Sequence, residues 1–223
     1  MDHDIQEGMS AEISGKVLAA WEIVSVVVSG LLAEWVMLAF LGRSRWTVLV
    51  PIILALALMV LSHRAYGENA KELGFRLDNF PAAVRLLLLP TVIGELLILA
   101  LGWFTTDSLT LRPFQPRLLL LPVWALFQQY ALQGYINRRA QIVLGTGTRS
   151  VLLVAFIFAL LHLPNPFLTG LTFVGGVVWA AVYQRQPNLF ALAVSHSIAS
   201  AGIVLCVPTG VTNGLRVGFK YFG

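Results

Sequence analysis

Charge is what this chain has least of. Only 12% of its 223 residues are Asp, Glu, Lys or Arg, about half the share usual in a soluble domain. Between Arg149 and Arg185 there is none at all. Cysteine is nearly absent too. Cys206 stands alone, so no intrachain disulfide can form, and it reads as a small apolar filler near a membrane face. No dense Lys/Arg run accompanies the net charge of +4, so nucleic acid is not an expected partner. A basic leader is missing as well. The first sixteen residues carry Asp2, Asp4, Glu7 and Glu12, so no cleavable signal peptide is expected. No internal repeat or low-complexity segment is present.

Apolar residues fill the space that charge leaves. They make up 57% of the chain, and the mean hydropathy is +0.79. The expectation is an all-α polytopic transmembrane helix bundle. It has a polar N-terminal tail (1–16), one transmembrane domain (17–207) and a short interfacial C-terminal tail (208–223). A helix needs roughly 20 mainly apolar residues to cross the hydrocarbon. Such stretches lie at 17–41, 46–62, 83–104, 118–137, 151–163, 168–183 and 189–207, about seven spans. The fifth is short because Pro164 and Pro166 break it. Lys/Arg placement puts Arg64, Arg138, Arg139 and Arg149 on the side of the N-terminus, so that side is read as cytoplasmic. The loop 63–81 reads as an interfacial amphipathic segment or a plain solvated loop.

Polar residues inside these spans are the most telling feature, because side chains kept in lipid usually face one another or a cavity. Gln129, Gln133, Asn137 and Gln141 recur every four residues, on one helical stripe. Gln128 sits about 100° away. Phe158 and His162 are four apart with Asn165 beyond, and His196 and Ser200 are four apart in the last span. At 1.5 Å rise per residue, Gln128, His162 and His196 lie roughly 15, 18 and 12 Å from the cytoplasmic ends of their spans. Three helices therefore present polar groups at a similar level, and a convergent site is expected. Glu95, in the third span, lies at about the same depth.

The order of these groups resembles the CAAX prenyl protease and bacteriocin-processing (CPBP) intramembrane proteases over residues 118–201. Phe158-Ala-Leu-Leu-His162 matches that family's second motif, and the approach to His196 resembles its third. Gln128-Gln129 and Gln133 stand where the family has a Glu pair and an Arg, and Ser200 stands where it often has Asn. The resemblance implies an endopeptidase acting on a membrane-associated peptide or protein, in a multi-pass protein of a prokaryotic plasma membrane. Its site carries over as His162, His196, Gln128 and Gln129, with Gln133, Phe158, Asn165 and Ser200 lining the substrate. An amide has no titrating proton and cannot serve as a general base, so Glu95 facing His162 or Gln129 is a candidate base. Two alternatives stay open: a non-catalytic relative that binds a membrane peptide or lipidated tail, and a small transporter. Metal binding needs three or four ligands; two histidines and amides are few, so no cofactor is expected, and a divalent metal is the lesser alternative.

Overall fold

The computed structural model describes residues 2–40, 45–106, 113 and 115–223. Among these, every regular element is helical. Helix α1 (Asp2–Leu32) passes into a π segment (Ala33–Met37) and the short α2 (Leu38–Phe40); α3 (Arg45–Ala65) and α4 (Phe80–Thr106) follow. A 3-10 turn (Pro116–Leu120) leads directly into α5 (Leu121–Gln129), a second π segment (Tyr130–Asn137) and α6 (Arg138–Leu144). The bundle closes with α7 (Thr148–Leu160), α8 (Pro166–Arg185) and α9 (Leu189–Cys206), and the tail carries α10 (Thr209–Thr212).

The outward surface is apolar, as a bilayer demands. Leu88, Leu89, Leu96 and Leu97 of α4 and Val123 of α5 all face out. Four helical stretches are long and apolar enough to cross a membrane: Glu12–Met37, Phe80–Thr105, Pro166–Arg185 and Leu189–Cys206. The other expected spans fall short for physical reasons. Leu49–Ala65 and Thr148–Leu160 are apolar but brief, and residues 121–144 carry too many amides and arginines. Residues 2–16 of the expected polar tail are helical and form the start of α1. Nothing in it breaks a helix, and Lys16 pairs with Glu12 one turn back at 2.7 Å.

Close helix contacts rely on small residues, as in lipid generally. A Cβ on Gly176 of α8 would come within 2.8 Å of the Ala155 backbone on α7. The loop 66–79 is docked rather than solvated. Asn188 caps α9 by accepting from Ala191 N at 2.9 Å, and its amide donates to Arg76 O and Asn79 Oδ1, both at 2.7 Å. Leu189 N donates to Gly74 O at 2.9 Å. Gly74 has φ +99°, and a Cβ there would press within 3.1 Å of Leu189 N. Only glycine fits that turn.

A buried ion network binds this end of the bundle. Arg139 of α6 is 0% exposed. Its Nε donates to Glu22 of α1 at 2.8 Å, its Nη1 to both oxygens of Glu68 at 3.0 and 3.1 Å, and its Nη2 to Ser62 of α3 at 2.8 Å. Its guanidinium lies 4.0 Å over the Tyr66 ring. Glu68 also pairs with Arg138 at 2.5 Å and with His63 Nδ1 at 2.6 Å. The Arg138-Arg139 pair, expected as a cytoplasmic charge anchor, is thus largely internal, and Glu22 is its partner from the first helix.

Breaking one member of a buried pair leaves the others uncompensated, at about 3–5 kcal/mol. Arg139→Met should therefore lower unfolding stability in detergent by that amount, more than Arg149→Met on the exposed α7 start. Linkage gives a second prediction. Burial alone would raise the Glu68 carboxyl, but hydrogen bonds from His63 and Arg138 and the charge of Arg139 hold it down at about 2. A depressed carboxylate stabilises fully above its unfolded value of about 4.3, and that contribution is lost as pH falls through about 2. The melting-temperature gap between wild type and Glu68→Gln should be flat from about pH 5 to 8 and shrink across that acid window. A gap that closes near neutrality would contradict this account.

Candidate active site

The polar residues do converge, around His196. This imidazole is buried in the middle of α9 and is held from three sides. Gln129 Nε2, at the end of α5, lies 3.2 Å from His196 Nδ1. Trp179 of α8 stacks on the imidazole at 4.4 Å between centroids. Phe158 of α7 meets it edge-on at 6.0 Å. Phe158 also meets His162 edge-on at 4.8 Å, so one phenyl ring spaces the two histidines.

The environment fixes what each imidazole can offer. A carbonyl only accepts, so His162 Nδ1, 2.7 Å from Phe158 O, carries the proton. The neutral ring then turns a bare Nε2 lone pair outward from a half-buried position. At His196 the Gln129 amide nitrogen lies 3.2 Å from Nδ1; with its N–H directed there, Nδ1 accepts and Nε2–H is the free donor. The site thus pairs a proton acceptor with a hydrogen-bond donor on neighbouring rings. Trp179 is itself placed by its indole N–H on Ser195 Oγ at 3.1 Å, and Ser195 pairs with Thr91 of α4 at 2.8 Å.

Other expected residues lie elsewhere. Gln133 is 0% exposed, but its Oε1 accepts from Asn137 at 2.8 Å, away from His196. The expected stripe persists through the π segment from Gln133 to Gln141, since Gln141 Nε2 donates to Asn137 Oδ1 at 3.1 Å, while no hydrogen bond joins Gln129 to Gln133. Gln128 and Ser200 are half-buried and form no side-chain hydrogen bond with a described residue. Glu95 faces the seam of α4 and α9, pressed against Gly202. Its Oε1 is buried without a hydrogen-bond partner, and it bonds neither His162 nor Gln129. Asn165 caps α8 by accepting from Leu168 N at 3.1 Å, and its amide donates to Thr212 O and Arg216 O at 2.9 and 3.0 Å. Those bonds, with Gly218 N donating to Leu163 O at 2.8 Å, fold the C-terminal tail onto the His162 turn. Among the described residues no three His, Cys, Asp or Glu side chains gather as a metal site.

Two features escaped the sequence reading. Trp179 is the nearer of the two rings against His196, and its only sequence signal is Gly175 one turn earlier. A Cβ on Gly175 would come within 3.0 Å of the indole ring. The ion network around Arg139 was hidden because its members are scattered over more than a hundred positions.

With the geometry set out, the comparisons can be placed. Residues 113–202 match the family model described as Rce1-like, type II CAAX prenyl endopeptidase. That segment begins just before α5, ends within α9, and contains Gln129, Phe158, His162, Trp179 and His196. The match takes in 90 of the 223 residues and overlaps the stretch 118–201 that resembles the CPBP proteases. No curated protein and no solved structure gives a significant match.

Asn165→Ala should cost about 0.5–2 kcal/mol as a lost helix cap and release the tail from the His162 turn. Limited proteolysis should then cut residues 208–223 faster than in wild type. An unchanged cleavage rate would mean that the tail is held by other contacts.

Proposed function

We propose that this CAAX-protease-like membrane protein hydrolyses a peptide bond of a membrane-associated protein at the His162–His196 site. The observation carrying this reading is the matched pair of imidazoles. His162 Nε2 is a free acceptor while its Nδ1 is tied to Phe158 O at 2.7 Å, and His196 Nε2–H is a free donor while its Nδ1 faces Gln129 at 3.2 Å.

The chemistry follows. A water held by His162 Nε2 attacks the carbonyl carbon and gives its proton to that nitrogen. His196 Nε2–H donates to the oxygen on which negative charge develops, a contribution that mutations of such donors elsewhere put at about 10²–10³ in rate. The C–N bond breaks as His162 returns the proton to the leaving amine. Phe158 and Trp179 exclude bulk water and hold the rings, so both hydrogen bonds act in a low-dielectric setting. In this reading Gln129 orients His196 and takes no proton. Glu95 is not the base, and Gln128 and Ser200 line the approach to the rings.

A second reading has its own support. The first-motif positions carry amides, which supply hydrogen bonds but no general base. The same cavity would then bind a membrane peptide or lipidated tail without cleaving it.

One set of proteins tests both readings. With prenylated CAAX peptides in proteoliposomes, wild type should release the C-terminal fragment, and His162→Ala and His196→Ala should each abolish release. Gln129→Glu, whose carboxylate cannot donate to His196 Nδ1, should lower the rate by about 10²–10³-fold, the worth of the oxyanion donor it removes. Saturable binding with no cleavage by any of these proteins would establish the binding reading instead.

A further inference from the structure

A chain of side-chain amides runs from the α6–α7 turn toward His196, and its direction is dictated by backbone groups. Gly147 N–H, which can only donate, gives to Gln184 Oε1 at 2.9 Å. Ser150 Oγ–H gives to Gly147 O at 3.0 Å, so that oxygen must accept from Gln184 Nε2, 2.9 Å away. Both contacts assign Gln184 the same way round. Its Nε2 then donates to Asn137 Oδ1 at 2.9 Å. Asn137 Nδ2 faces the Ala180 carbonyl at 3.4 Å, which again fixes it as a donor, and it gives to Gln133 Oε1 at 2.8 Å. The amide orientations of Gln184, Asn137 and Gln133 are therefore not free choices, as terminal amides often are.

Two polar atoms end this chain without partners. Gln133 Nε2 is a buried donor and Gln129 Oε1 is a buried acceptor. Both residues are 0% exposed and lie one turn apart on the same rod. Their senses are complementary, and a buried polar atom left without a hydrogen bond is destabilising. The opposite end of the Gln129 amide is the group that faces His196 Nδ1.

We infer that Gln184, Asn137 and Gln133 are positioning residues that set the tautomer of His196. Gln133 Nε2–H holds Gln129 Oε1 on its side through one bridging group that accepts from the first and donates to the second. This forces the Gln129 N–H toward Nδ1 and leaves the proton of His196 on Nε2. The catalytic value of that tautomer rests on the hydrolysis reading above; the tautomer itself does not.

The direction of the relay can be reversed at a distance. In Asn137→Asp the carboxylate still accepts from Gln184 and Gln141 but cannot donate. Gln133 must then turn its N–H to Asp and present its oxygen to Gln129. Gln129 turns in its turn, and His196 becomes protonated on Nδ1. Gln184→Glu demands the same reversal by making Asn137 donate outward. Gln141→Leu removes a donor at 3.1 Å from Asn137 Oδ1 without touching the line of transmission.

Imidazole ¹⁵N NMR on histidine-labelled protein in micelles, with no substrate, reads the tautomer directly, and the chain has only 4 histidines to assign. Wild type and Gln141→Leu should show His196 protonated on Nε2, and Asn137→Asp and Gln184→Glu on Nδ1. If Asn137→Asp does not fold, Gln184→Glu alone decides. An unchanged tautomer in a folded relay variant, or Nδ1 protonation in wild type, overturns the proposal. Where cleavage is measurable, kcat of the two relay variants should fall by about 10²–10³, the worth of one oxyanion donor, with KM unchanged. A tautomer that reverses without any cleavage in wild type would sink the hydrolysis reading and leave the relay standing.

Discussion

The burial of Arg139 organises this molecule. A guanidinium removed from water must be neutralised and hydrogen-bonded at every N–H, or the bundle loses several kcal/mol. Its partners come from α1, from the end of α3 and from the loop before α4. One side chain therefore ties the N-terminal helices to the rod that carries Gln129. Its carboxylate partners Glu22 and Glu68 lie outside residues 113–202, the segment that matches the family. The matched core contributes the buried arginine, and the preceding part of the chain neutralises it.

Farther along the same rod the electrostatics change character. At the level of His196 the nearest groups to the imidazole are the Gln129 amide, an indole and a phenyl ring. An uncharged site needs no counter-ion in the hydrocarbon, which removes the expense of a buried ion cluster there. It also transfers control of the chemistry from charge to hydrogen-bond direction. A neutral imidazole can act as acceptor or donor according to which nitrogen is protonated. Fixing that choice requires oriented neighbours, and the amides between Gly147 and Gln133 are oriented by backbone groups that have no freedom to reverse.

Much of this was legible beforehand because it rests on periodicity and on the cost of polar atoms in lipid. The helical class, the break at Pro164 and Pro166, and the convergence of Gln129, Phe158, His162 and His196 all follow from spacing and depth. Other features resisted for identifiable reasons. The π segment over Tyr130–Asn137 has no signal in a pattern of residues four apart, and Gln133, Asn137 and Gln141 stay bonded to one another along it. Asn165 looks like a lining residue in sequence, yet its cap and its two bonds to the tail use its polar atoms structurally. Glu95 shares the depth of the site but faces Gly202 across the α4–α9 seam. Depth alone does not specify azimuth.

The sequence by itself determined that the chain is a helical membrane protein with a polar centre, since scarce charge and long apolar runs leave no other way to satisfy the backbone. It also determined which residues could meet in that centre. Only the tertiary structure decided how they are used. It stacked Trp179 on His196, drew Glu22 and Glu68 onto Arg139, and gave the string of amides one direction. Those outcomes depend on contacts between residues tens to more than a hundred positions apart, and their geometry exists only once the helices have packed.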